Sequence, residues 1–163
     1  MRESGMLKRS GFSLIELVIV VVIVAIIGAI AIPKMSRGAA GAGDSSLLQN
    51  LSALRGALDM YQSENGGIYP SAANITNALL QYSDGNGGIA AAPDATHVYG
   101  PYLRSIPPLP VGAAKGCNGI AGAVTGTPVT GGVGWNYNSA NGQITANTAA
   151  GEVDARGVPY NQY

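Results

Sequence analysis

Gly11-Phe-Ser-Leu-Ile-Glu-Leu-Val-Ile-Val-Val-Val-Ile-Val-Ala-Ile-Ile-Gly-Ala-Ile-Ala-Ile-Pro33 decides how this chain is organised. From Leu17 to Pro33 no residue is charged and no helical face is hydrophilic. A helix apolar on every side belongs in lipid or in the interior of a large assembly. Phe12 to Ile32 is 21 residues, about 31 Å at about 1.5 Å per residue, which matches a hydrocarbon core of about 30 Å. Lys8 and Arg9 precede the run and favour a cytoplasmic N-terminus, whereas Lys34 and Arg37 follow it and weaken that bias. An ordinary secretory signal has a shorter apolar stretch with a small-residue cleavage site beyond it; Ala29-Ile-Ala31 imitates such a site, but the run is too long. A plain signal anchor fits the length and leaves Glu16 without a reason, because carboxylates in membrane runs are rare and normally partnered.

The totals narrow the rest. At 163 residues there is room for one modest domain beside the apolar segment. Nine basic residues balance nine acidic ones, so there is no whole-chain footprint for nucleic acid. Without residues 1–11, which hold Arg2, Lys8 and Arg9 against Glu3, six basic and eight acidic residues remain, a net charge near minus two. Cys117 is the only Cys, which rules out an intrachain disulfide, and His97 is the only His. Neither lies in a nucleophile motif. Gly38-Ala-Ala-Gly41-Ala-Gly43 has the wrong spacing for dinucleotide binding, and Lys115-Gly116 lacks the frame of a P-loop. These residues speak for a structural protein and not an enzyme.

Beyond Pro33, Leu47, Leu51, Leu54, Leu58 and Tyr61 recur at spacings of 4, 3, 4 and 3, one apolar face of a helix. Gly66-Gly67 should stop it. Local propensity favours a break near residues 38–43, at about 1 kcal/mol per glycine against Ala, with Asp44 as the N-cap if the helix restarts there. Ile75 to Tyr82 reads as a short second helix with Leu79 and Leu80 facing inward. Gly132 to Asn138 alternates like a strand, residues 139–142 supply a turn, and Gln143 to Asn147 returns as a second strand. Trp135 and Tyr137 share one face of that strand and should pack on the leucine stripe, a reading preferred here to ligand stacking by Trp135.

The segment from Lys8 through Ile32-Pro33, with Gly11-Phe-Ser-Leu-Ile-Glu16 abutting the apolar run, resembles the processing site of type IV prepilins and type II secretion pseudopilins. The resemblance implies that a membrane aspartic peptidase cuts between Gly11 and Phe12 and then N-methylates Phe12. Glu16 becomes the fifth residue of the mature chain, the one used in assembly, where its carboxylate would pair with the terminal amine of a neighbouring subunit. It also implies a continuous helix from Phe12 to about Glu64, able to unravel between Gly28 and Pro33. Further on, Tyr61 with Asn65-Gly66 and Tyr69-Pro70, Gly100-Pro-Tyr-Leu103, and Gly134-Trp-Asn-Tyr-Asn138 look like the major pseudopilin of type II secretion. A lone Cys117 does not match the disulfide-closed loop of type IVa pilins. Two departures stand out: a Gly/Ala/Thr/Val-rich insertion at 111–131, and a tail, 148–163, without the Asp-rich end of the relatives.

The expected fold is α+β, a long N-terminal hydrophobic helix packed at its C-terminal half against a small antiparallel sheet. The expected divisions are a leader at 1–11, a transmembrane and filament-core helix at 12–33, its amphipathic continuation at 34–65, and a periplasmic head at 66–163. The implied function is that of a structural subunit of a type II secretion pseudopilus; the alternatives are a type IV pilus subunit and, more remotely, a monomeric membrane-anchored binding module. The implied partners are copies of the same chain in a helical homopolymer, minor pseudopilins, prepilin peptidase, the inner-membrane assembly platform and membrane lipid. The implied location is the bacterial inner membrane, with a cytoplasmic N-terminus, a periplasmic C-terminal domain and assembly into a filament. No cofactor is expected beyond calcium, which major pseudopilins often bind near the C-terminus. Its weak candidates are Asp84 with Asn86, Asp94, and Glu152 with Asp154. The plain reading is a turn for Asp84 and solvated tail charges for Glu152 and Asp154.

Overall fold

A computed structural model describes residues 11–122 and 128–163, with all side chains except those of 31–40. The expected leader up to residue 10, residues 123–127 of the expected insertion and the Pro33 side chain lie outside that description. Helix α1 spans Leu14–Glu64, 51 residues. The chain divides into two compact units between Ala39 and Ala40.

In the second unit the leucine stripe is buried as its period requires: Leu47, Leu51, Leu54, Leu58 and Tyr61 are all at most 3% exposed. The helix does not restart at Asp44. Gly43 sits where a Cβ would lie 3.2 Å from a Val111 methyl, so a glycine there permits close packing. Asp44, freed from capping, accepts the Tyr160 hydroxyl at 2.8 Å and the Ala155 N–H at 3.2 Å. The stop at Glu64 follows from Gly66, whose φ of 67° leaves the helical region at no steric cost. Asn65, almost wholly buried, holds Nδ2 within hydrogen-bond distance of the Tyr61 carbonyl, the Ser83 hydroxyl and the Tyr102 hydroxyl, its two hydrogens shared among them. Those bonds tie the end of α1 to the Gly100–Leu103 segment.

Helix α2 covers Ile75–Leu80, with Ile75, Ala78 and Leu79 buried. Tyr82 does not extend it but begins β1 (Tyr82–Ser83), paired antiparallel with β2 (Ile89–Ala90). A second sheet holds β3 (Gly119–Gly122), β4 (Val133–Asn138) and β5 (Gln143–Ala146) in that spatial order. The β4–β5 hairpin is antiparallel as expected, whereas β3 runs parallel to β4. The sheet is therefore mixed. Within the 111–131 segment, the Gly119–Gly122 stretch supplies the strand that pairs parallel with β4.

Trp135 and Tyr137 are fully buried in one core with the leucine stripe. Each also satisfies its polar tip, as buried Trp and Tyr generally do: Trp135 Nε1 donates to the Pro107 carbonyl and the Tyr137 hydroxyl to the Pro70 carbonyl, both at 2.8 Å. Tyr69 packs so closely on Gly142 that a Cβ there would stand 2.3 Å from its ring. That contact gives the Tyr69-Pro70 signal its structural meaning.

Burial first, and then the Asp44 carboxylate beside it, push the Tyr160 hydroxyl up to about 12; burial pushes Tyr102 up to about 12 as well. An unfolded tyrosine titrates near about 10. The folded state thus holds protons that the unfolded chain would release, and its stability is complete below about pH 10 and lost as pH rises toward about 12. Far-UV circular dichroism against pH should show this loss within that window. Tyr160→Phe should make it shallower; an unchanged slope would show that Tyr160 carries none of it.

Candidate functional site

The first unit contains the expected processing segment. Residues 11–13 are irregular and exposed, and α1 begins at Leu14. The Gly11–Phe12 bond, the expected cut, lies in this exposed non-helical stretch. Phe12 is 87% exposed. A Cβ added to Gly11 would meet nothing within 4 Å.

Glu16 stands in the first turn of α1 and accepts the Ser13 N–H on Oε2 at 2.8 Å. This is half of a capping box, Ser at the N-cap position with Glu three residues on. It also brings a negative charge to the positive end of the helix. Around it every large apolar side chain from Phe12 to Ile30 is exposed, from 46% at Val18 to 87% at Phe12. An apolar surface on all sides of a helix, with one carboxylate at its start, calls for lipid or neighbouring helices. No helix among the described residues is long and apolar enough to cross a membrane. The described apolar part ends at Ile30, and the expected span over 12–33 continues in sequence through side chains outside the description. Gly28, expected to loosen the helix, is half-buried with open space where its Cβ would be.

Each of the four calcium candidates accepts hydrogen bonds from donors of this chain. Asp84 Oδ1 accepts the N–H groups of Asn86 and Gly88, both at 2.8 Å, and the first of these chiefly holds its carboxyl below the ordinary range. That is the plain turn expected. Asp94 accepts the N–H groups of His97 and Thr96 at 2.8 Å and pairs with His97 Nδ1; the His97 N–H leads in holding its carboxyl well below the usual carboxylate range. Glu152 splits its oxygens between the N–H groups of Ala113 and Ala149.

Asp154 departs most from expectation. It is no solvated tail charge, being 6% exposed. Its Oδ1 accepts the N–H groups of Arg156 and Val158 at 2.8 Å, while Oδ2 accepts Arg156 Nε at 2.9 Å and the Tyr163 hydroxyl. The Tyr163 hydroxyl foremost, with the Val158 N–H and Arg156, holds the Asp154 carboxyl well below the usual range. Among the described residues no three His, Cys, Asp or Glu side chains group as metal ligands. A sequence signal for the Asp154 turn was present, an Asp three residues before Gly157.

Residues 6–32 match the family described as the prokaryotic N-terminal methylation motif. The chain is similar to type II secretion system core protein G of Klebsiella pneumoniae, 29% identical over 109 residues, which covers 66% of this chain and 73% of that protein. It is likewise similar to type II secretion system core protein G of Aeromonas hydrophila, 30% identical over 105 residues, 64% of this chain and 69% of that one. No solved structure matches it. A shared motif at the apolar end and a similarity that takes in more than two-thirds of each relative make one case: this chain belongs to the type II secretion system core protein G family.

Proposed function

We propose that this chain is the repeating structural subunit of a type II secretion pseudopilus, cut between Gly11 and Phe12, methylated on Phe12 and polymerised through its N-terminal helix. The observation that carries the reading is the start of α1: an exposed irregular segment at 11–13, then a helix apolar on all sides with Glu16 in its first turn. Before assembly, lipid would cover that surface, with the N-terminus cytoplasmic and the head from residue 66 periplasmic. In the filament, neighbouring copies would cover it, and residues 12–33 would form the core. Removing Met1–Gly11 exposes an amine four residues from Glu16, and pairing that amine with a neighbour's Glu16 offsets the desolvation of both charges. Prepilin peptidase, the minor pseudopilins and an inner-membrane assembly platform are the partners this route requires. No step of it asks the chain to do covalent chemistry itself.

The test is the intact mass of the protein taken from its native membrane fraction. The expected mass is that of Phe12–Tyr163 with one added methyl group. A chain that keeps its leader in cells with an active peptidase would reduce the protein to a signal-anchored one and end the filament reading.

A further inference from the structure

Calcium takes six to eight oxygen ligands, commonly with several carboxylates among them. An ionised carboxylate offers about four lone-pair positions, and at Asp154 all four are taken: two by backbone N–H groups, one by Arg156 Nε and one by the Tyr163 hydroxyl. The nearby acids are also engaged. Glu152 gives one oxygen to Ala113 and the other to Ala149. Asp44 gives one to Tyr160 and the other to Ala155. The three carboxylates therefore face donors and not a common cation, so the residues of this tail do not fit the ion that the family implies.

The segment is nonetheless built around a charge. Val153 and Pro159 form a bridge, Asp154 N–H donates to the Val158 carbonyl at 2.9 Å, and Gly157 N–H returns to the Asp154 carbonyl at 3.0 Å. The loop thus wraps the Asp154 carboxylate, whose side chain is only 3% exposed. A buried carboxylate needs a counter-charge and full hydrogen bonding. The Arg156 guanidinium supplies the charge: Nε faces Asp154, and Nη2 donates to the Tyr163 hydroxyl, which itself donates to Asp154. Arg55 holds Tyr163 from α1 through its backbone carbonyl. We infer that Arg156 is the cation that closes this C-terminal loop, and that the head folds and holds its tail without a divalent ion.

The experiment is thermal unfolding of the full chain in detergent micelles, followed by circular dichroism, with excess EGTA and separately with millimolar calcium. It reads the fold alone and does not depend on whether the chain assembles. The expected result is the same Tm in both, within about 1 °C. An ion bound only by the folded state and supplied at a hundredfold excess over its Kd would raise Tm by roughly 10 °C in a domain of this size. A calcium-dependent rise of that order overturns the inference. Arg156→Met removes the guanidinium and keeps most of the side-chain stem, and should lower Tm by about 5 °C in EGTA; Arg156→Lys should recover part of the loss. An Arg156→Met chain as stable as the parent would show that Arg156 is not the closing cation. If that variant fails to fold, the parent's response to EGTA and calcium still decides.

Discussion

Replacing Glu16 by alanine should leave processing and membrane insertion intact and abolish filaments. The carboxylate lies in the first turn of α1, exposed among exposed apolar side chains. Its hydrogen bond among the described residues is local, from the Ser13 N–H. Folding therefore loses at most a cap, worth about 0.5–2 kcal/mol. Under the proposed pairing with a neighbour's terminal amine, assembly should lose more. Breaking a buried ion pair by deleting one member costs about 3–5 kcal/mol, more than a hundredfold in the association constant of each added subunit. Glu16→Gln separates the two effects, because its amide oxygen can still accept the Ser13 N–H but carries no charge. Both variants should give the processed, methylated mass and no filaments, counted by shearing and electron microscopy under overexpression. Filaments from Glu16→Gln at the parental level would assign the role to capping; filaments from Glu16→Ala would remove the role altogether.

What the sequence revealed and what it hid divide along a physical line. The leucine stripe is a local periodic pattern, and the helix it predicts is observed; that α1 runs unbroken through residues 38–43 was implied by the family resemblance, against local propensity. Trp135 and Tyr137 were legible for the same reason, since alternate positions on a strand share a face. Strand β3 was not. Gly119-Ile-Ala-Gly122 has weak strand propensity of its own, and its place is set by a partner: a Cβ on Gly119 would stand 2.8 Å from the Gly132 carbonyl oxygen, a contact no local window contains. Nor could local reading show Asp154 buried. Its surroundings depend on Tyr163 nine residues later, and the tail is held to α1 by Asp44, more than a hundred residues earlier. The processing segment lies between these cases. Its motif was legible, while the emptiness around Gly11 and the bond between Ser13 and Glu16 needed coordinates.

Trp135→Ala should come close to unfolding the head. Trp135 is fully buried on β4, the middle strand of the sheet, in the core that the leucine stripe of α1 also enters. Truncation removes its indole from that core, and large aromatic deletions of this kind cost about 3–5 kcal/mol. The Pro107 carbonyl loses its indole donor as well, which adds about 1 kcal/mol if no water replaces it. Domains of this size have only about 5–15 kcal/mol in total, so Tm should fall by roughly 15 °C and little intact protein should survive in the membrane fraction. Trp135→Phe keeps much of the volume and gives up the N–H, and should cost about half as much. Since Trp135 is the only tryptophan, its emission in the parent reports the same packing: a short-wavelength maximum that moves to longer wavelength as the head melts. A Trp135→Ala chain that melted with the parent would mean that β4 does not rest on α1, and the assignment of the leucine stripe to the head's core would fail with it.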